Sequence, residues 1–376
     1  MAITAFTFDR GLADRFIRFG YDIYRGDARW IPPFHTELRR ELSPDFPFYH
    51  RPGNDHRHFL ATAGGRAVGR VSAMVNAEMA RGDEGPPGLV GFFECVEDPS
   101  VGRDLLEAAR GWLREARGVR RVVGPMNFDI WHGYRLMTRG FELEPFLGEP
   151  HTKPYYPDRF EAAGFDRKRR WHSVEVKGRE AIEALAAQGA GAYDRLMRHG
   201  YRFRAFDPRR FRAEMLRLHG LVMASFAGFP DFVPLPPEEF MKLFAASRPA
   251  LDPRLTLFVD DEAGRPAAFA VALLELSVAV RAMNGKTGSI SRLKFLARRA
   301  ACHRVNFYAG GLTPAEMARK SGLGRAGFHY VLRGILDLGY DEMLVTLIAE
   351  DNRSNGLLGP WAGDYGREYA LYEWNA

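Results

Sequence analysis

A chain of 376 residues, 46% hydrophobic and 27% charged with no low-complexity tract, has room for two ordinary cores and excludes a disordered or fibrous polymer. Its 53 basic and 47 acidic side chains leave a net charge of +6 and a pI near 9.3, a modest excess that favours anionic partners without naming one. Cys95 and Cys302 stand far apart, which excludes a disulfide framework and fits a reducing compartment.

The first sixteen residues lack a basic start followed by an apolar core, so no secretory signal is read there. The longest weakly charged apolar run, residues 267–280, contains Glu275 and is too short to span a bilayer. A cytoplasmic protein is expected, with peripheral contact at the inner membrane.

In chain order, residues 58–76 alternate on both sides of Gly64-Gly65 and predict two strands around a turn. Residues 89–97 predict a third strand. Over 98–118, Leu105, Leu106, Ala109, Trp112 and Leu113 fall on one helical face, and 120–127 reads as the next strand. An alanine-rich helical connector follows over 176–199. The order then repeats, with a hairpin at 254–276, a strand at 304–312, a helix at 326–339 stopped by Gly339, and an apolar strand at 341–352. Strand, hairpin, strand, helix, strand occurs twice. The chain therefore reads as α/β with a first half at 1–175, the connector, and a second half at 200–376.

Residues 281–304 lie where a compact fold needs only a short connection. Ile290, Leu293, Phe295, Leu296 and Ala300 are set among Arg292, Lys294, Arg298, Arg299 and Arg304. A basic amphipathic helix suits an anionic membrane surface, a cover over a long acyl chain, or a solvated helix packed on its own domain. Scattered arginines without an aromatic platform speak against nucleic acid. His56 and His58, two apart with no third ligand nearby, do not make a metal site, and no metal is expected.

The stretch RKSGLGRAGF, residues 319–328, precedes the second-half helix. Unpaired N–H groups and the helix dipole make a helix start an anion site where side chains leave clearance. Gly322 and Gly324 provide clearance, and Arg319, Lys320 and Arg325 add positive charge. The ten residues alone favour a capped helix with basic surface residues, and they match neither the P-loop nor the Rossmann spacing.

In context, Arg319-x-x-Gly322-x-Gly324 between strand and helix, followed by EDNRSNGLLG (350–359), resembles the GNAT superfamily of acyl-CoA-dependent N-acyltransferases. The resemblance implies two tandem GNAT-like domains, each a mixed, mostly antiparallel sheet flanked by helices. It implies that acyl-CoA is held by the second half through Leu312, Arg319, Lys320, Gly322, Leu323, Gly324, Arg325, Ala326, Asn352 and Asn355. It also implies a splay between the strands flanking the helix, through which the thioester enters. Between Pro314 and Arg319 the loop is about two residues longer than the family form. The first half offers EDPSVGRD at the matching place, whose acids oppose a pyrophosphate, so that half is expected to bind the acceptor or to support. DARWIPPF, GFFECVED, GPMNFDIWHGYRL and FVPLPPEEF are together similar to a bacterial tandem GNAT subgroup that includes the bacterial ceramide synthases, implying a fatty acyl donor and a sphingoid-base-like lipidic amine. A Fem-type aminoacyl-tRNA transferase and a catalytically inactive membrane-binding module are the alternatives; the intact glycine loop speaks against the former.

Amide formation from a thioester needs the amine deprotonated, the carbonyl polarised and the thiolate protonated. Glu350 or Asp351, at the end of an apolar strand, is the candidate base, or else the two solvate a turn. Tyr365, Tyr369 and Tyr372 are candidates for the sulfur's proton, with Tyr372 taken as the catalytic one. In the first half, Glu94, a further candidate catalytic residue, puts a charge into an apolar strand that needs a partner if buried. Asn127, Asp129, His132 and Tyr134 cluster within eight residues; Asn127, His132, Tyr134 and Tyr156 are the expected acceptor contacts.

Overall fold

The computed structural model describes residues 1–80, 85–359 and 366–376. Along the chain come β1 (Ala2–Phe6), α1 (Arg10–Asp22), α2 (His35–Glu41), β2 (Asp55–Ala63), β3 (Arg66–Val75), β4 (Gly88–Cys95), α3 (Pro99–Arg117), β5 (Arg121–Gly124), β6 (Leu136–Arg139), α4 (Tyr156–Ala162) and β7 (Asp166–Lys177). Then follow α5 (Arg179–Arg198), β8 (Arg202–Ala205), α6 (Phe211–Phe226), α7 (Pro237–Phe244), β9 (Thr256–Asp260), β10 (Pro266–Leu274), α8 (Ser277–Met283), α9 (Ser289–Arg299), β11 (Arg304–Leu312), α10 (Pro314–Arg319), α11 (Leu323–Asp337), β12 (Glu342–Ala349) and β13 (Arg367–Asn375).

The chain divides into two units. The first comprises Met1–Trp171, Ser277–Arg298 and Arg367–Ala376; the second comprises His172–Leu276 and Arg299–Gly366. These bounds differ from those expected of two consecutive halves. The segment carrying α8 and most of α9 leaves the second half and joins the first unit. The last strand does the same, because β13 pairs antiparallel with β5 through Tyr372↔Gly124 and with β6 through Ala370↔Leu136.

In the first unit the strands run β1-β2-β3-β4-β5-β13, antiparallel except for β4 beside β5. α3 forms because Asp98 caps it, accepting from Ser100 N, with Pro99 at the first position and Gly118 in the left-handed region (φ 64°) ending it. Its apolar stripe, Val101, Leu105, Leu106, Ala109 and Leu113, packs with Val71, Val90, Val122, Phe160 and Tyr372 into one core.

In the second unit the order is β12-β11-β10-β9-β8, again antiparallel except for one parallel pair, β11 beside β12. α11 buries Leu323, Phe328, Val331, Leu332 and Ile335 against Leu257, Ala268, Ala270 and Val305. Both units thus run hairpin, strand, helix, parallel strand, the mixed α/β arrangement expected from the repeated order. The strand entering the helix is bulged in each. Phe92 and Phe93 together oppose Val71 on β3, and Tyr308 is the extra residue opposite the Val271/Ala272 step of β10.

Candidate functional site

In the second unit, β11 and β12 pair in parallel from Arg304↔Glu342 to Phe307↔Val345 and no further. Past that point β11 stays with β10 as far as Leu312, while β12 runs on to Ala349. The splay opens where the Thr346 hydroxyl donates to Asn306 Oδ1 at 2.9 Å. Leu347 has φ 55°, and its N–H donates to the Ser173 hydroxyl of β7 at 3.0 Å rather than to a backbone carbonyl.

Beside the splay stands the start of α11. Residues 314–318, read as a lengthened loop, form with Arg319 the short helix α10, which explains the extra residues. Lys320 (φ 50°) and Gly322 (φ 85°) both take the left-handed conformation and turn the chain into α11. Among the described residues no side chain caps α11, and a Cβ at Gly324 would meet nothing within 4 Å. Bare backbone is therefore presented at the positive end of a four-turn helix.

The surrounding cations are not equivalent. Arg319 is held on its own unit: its guanidinium donates to Glu316 at 2.9 Å, to the Tyr201 hydroxyl at 3.0 Å and to Glu262 at 3.3 Å. Glu316 is buried and also accepts from Tyr201. Arg319 thus ties α10 to the sheet, and its charge is matched by carboxylates. Lys320 is exposed, and exposed Arg325 donates to the Gly356 carbonyl at 3.1 Å. Sequence reasoning missed Arg195 on α5, which donates to Ser321 O at 2.9 Å and stands 3.1 Å from where a Gly322 Cβ would be. Its only sequence signal is Gly189, where a Cβ would lie 2.4 Å from Arg325 O; that glycine lets α5 close on the first turn of α11.

Leu312 ends β11, while Leu323 and Ala326 are buried on the inner side of α11. Asn352 caps the turn after β12, accepting from Ser354 N. Asn355 donates to the carbonyls of Ala349 (3.2 Å) and Glu350 (2.9 Å), and its buried Oδ1 has no partner among the described residues. These two asparagines pin the end of β12. Glu350 and Asp351 follow, both exposed.

The first unit has the same splay and fills it. β4 and β5 pair only through Gly88↔Val122 and Leu89↔Val123. Beyond them Met126 N donates to Val90 O at 2.8 Å, and Phe92 N donates to Asn127 Oδ1 at 2.7 Å. A Cβ at Gly91 would clash with both Met126 and Asn127. Asn127 therefore closes the cleft with the chain's own atoms. The matching loop to the glycine loop is the acidic turn capped by Asp98.

Glu94 finds partners as its burial requires. It accepts from the Tyr156 hydroxyl at 2.6 Å and the Tyr24 hydroxyl at 3.1 Å, and lies 3.7 Å from Arg70. Burial pushes its carboxyl above the usual carboxylate value, with Arg70 and the two hydroxyls opposing. His132 Nδ1 lies 2.7 Å from Asp129 Oδ1; burial disfavours its charged form, yet the Asp129 carboxylate raises its pKa overall. The Tyr134 hydroxyl is bonded by Arg135, whose guanidinium lies over the Tyr134 ring at 3.8 Å and the Trp171 ring at 4.4 Å. Tyr24 also lines a cavity of about 630 Å³ with Tyr21, Trp30, His35, Asp27 and Lys286. No signal in the sequence distinguishes Tyr24.

The structure places Tyr372 in the first unit. Its hydroxyl is 3.4 Å from Glu161, its ring packs on Phe160, and burial pushes it up to about 12. Tyr369 donates to Glu149 in that unit as well, and Tyr365 lies outside the described residues. The last strand reads as the end of the second half because it is last in sequence; its pairing is with the first.

No protein-family model matches the chain. Bacterial ceramide synthase of Caulobacter vibrioides is 26% identical over 373 residues, covering 96% of this chain and 94% of that protein. Protein YghO of Escherichia coli K12 is 26% identical over 291 residues, 75% of this chain and 71% of its own length. Among solved structures, the GCN5-related glucosamine N-acetyltransferase region of a fungal multidomain β-N-acetylglucosaminidase matches 99% of this chain with a TM-score of 0.53 at 13% identity; the chain spans 38% of that polypeptide. The chain shares the fold of that GCN5-related N-acetyltransferase region and is similar over nearly its whole length to bacterial ceramide synthase.

Proposed function

We propose that the chain transfers a long fatty acyl group from acyl-CoA to the primary amine of a sphingoid-base-like lipid. The observation that carries the acyl-CoA part is the splay of β11 and β12 beside the uncapped, glycine-opened start of α11. The lipid part rests on the homology to bacterial ceramide synthase over 96% of the chain.

In this reading the N–H groups of Leu323, Gly324 and Arg325 take the CoA pyrophosphate, with Lys320, Arg325 and Arg195 supplying charge. Arg319 positions the loop rather than meeting the phosphates. Leu312 lines the approach, buried Leu323 and Ala326 seat the helix start on the core, and Asn352 and Asn355 fix the strand end. The amine attacks the thioester carbon, so that a C–N bond forms and the C–S bond breaks. The proton leaving the nitrogen is taken up by Glu350 or Asp351 and passed on to the departing thiolate, so that amide and free CoA thiol result and the carboxylate is regenerated. The first unit serves the acceptor, through His132 and Tyr134, with Glu94, Asn127 and Tyr156 holding its polar cluster in place.

The test is an assay of thiol release and amide mass with palmitoyl-CoA or acetyl-CoA and a sphingoid base. Amide formation with the long-chain donor is expected, and Gly324→Asp should abolish it. No amide from any acyl-CoA with folded protein overturns the reading. Of Glu350→Gln and Asp351→Asn, the one that removes the base should lower kcat by about 10²-fold or more.

A further inference from the structure

From Leu276 to Ala315 the sequence holds no Asp or Glu and seven Lys or Arg. Within it, α9 lies against the protein by a narrow side only. Ser291 is buried and Phe295 half-buried, while the rest of residues 290–299 are exposed. Ile290, Leu293 and Leu296 are 73%, 66% and 60% exposed, the three most exposed large apolar side chains of the described residues.

At about 100° per residue, Ile290, Leu293, Leu296 and Ala297 share one arc, centred opposite the Ser291/Phe295 side by which the helix docks. Lys294 and Arg298 fall on one flank of that arc, and Arg292 and Arg299 on the other. A helix that merely covers its domain turns its leucines inward. This one turns them out and edges them with cations.

We infer that α9 is an interfacial helix that seats the protein on an anionic bilayer, with Ile290, Leu293 and Leu296 among the acyl chains and Arg292, Lys294, Arg298 and Arg299 at the phosphate level. The occupant follows from charge complementarity: an apolar stripe flanked by cations on both edges, in a segment without acids, matches a surface that is apolar below and anionic above. A protein partner would need a matching acidic rim around an apolar groove. α8 and the turn after it, in the same unit, supply Arg281, Asn284 and Lys286 to the cavity lined by Tyr21, Tyr24 and Trp30. The segment that meets the membrane thus also forms a wall of a polar cavity. None of this depends on the catalytic reading, since vesicle binding is measured without acyl-CoA.

The experiment is co-sedimentation of the full chain with phosphatidylcholine vesicles with and without phosphatidylglycerol, across a salt series. Binding is expected only with the anionic vesicles and should weaken with salt. The triple variant Ile290→Ser/Leu293→Ser/Leu296→Ser should lose about tenfold or more in vesicle affinity with an unchanged melting temperature. Arg292→Gln/Lys294→Gln, which leaves the apolar arc intact, should also weaken binding. Wild-type protein left in the supernatant with every vesicle overturns the proposal, as does equal binding by the triple variant. It is equally overturned if light scattering shows a dimer that the triple variant dissociates while vesicles bind neither protein; the face would then join two copies of the chain.

Discussion

The two glycines of the loop do different work, and single substitutions separate them. Gly322 has φ 85° and Arg195 beside it, so Gly322→Ala should cost about 1–2 kcal/mol of stability as well as CoA affinity. Gly324 is helical and faces open space, so Gly324→Ala should hold or raise stability, by about 0.5–1 kcal/mol, yet still weaken CoA binding by intruding on the bare backbone. Urea melts paired with CoA titration check this; parallel loss of both at position 324 would contradict it. In the first unit, burial and, less strongly, Arg57 lower His56 to about 4 from an ordinary value near 6.5. The unfolded chain therefore binds a proton there that the folded chain refuses between those values. Stability should fall as pH drops from 6.5 towards 4, by up to about 1.4 kcal/mol per pH unit for this group. His58 adds to the trend, while His132, raised, contributes in the opposite sense: its stabilisation is present at low pH and lost as pH rises through its folded value. His56→Phe, which keeps a ring against Phe8 and Tyr49, should flatten the acid slope measured by urea midpoint; an unchanged slope refutes the assignment.

Among the elements, the turn after β12 carries the candidate base, and Asn355 holds it through two carbonyls. Asn355→Ala should cost about 1–2 kcal/mol and lower kcat more than it weakens CoA binding, since the strand end rather than the glycine loop is loosened. Calorimetry alongside steady-state kinetics reads both; an unaltered kcat would remove Asn355 from the account. The strands and helices around this turn are legible in the sequence because their periods are strong: α3 and α11 show one apolar stripe each, and β2, β3, β9 and β10 alternate about glycine-containing turns. The glycine loop is legible for the same local reason. What periodicity does not carry is long-range partnership. The ties of Arg319 to Glu262 and Tyr201 join residues over 50 apart in sequence, and the bond from Phe92 N to Asn127 that fills the first unit's cleft is made by a loop with no repeating pattern.

For the molecule as a whole, order along the chain misleads at two places. β13 and the segment of α8 and α9 follow or interrupt the second half yet belong to the first unit, and β13 brings Ala370 and Tyr372 into its core. A fragment of residues 1–175 therefore lacks a core strand and should show no cooperative melt, whereas joining residues 366–376 to it through a flexible linker should restore one. A cooperative transition in the bare fragment would show that the strand is dispensable. In the proposed reading, two copies of one fold, one with its splay open beside bare helix backbone and the other filled by Asn127 beside an acidic turn, give a single acyl-donor site. The most direct measurement of that claim is the melting temperature of the full chain with and without CoA, in wild type and in Gly324→Asp. CoA should raise the wild-type melting temperature and leave that of the variant unmoved; no stabilisation of the wild type, or equal stabilisation of both, would contradict it.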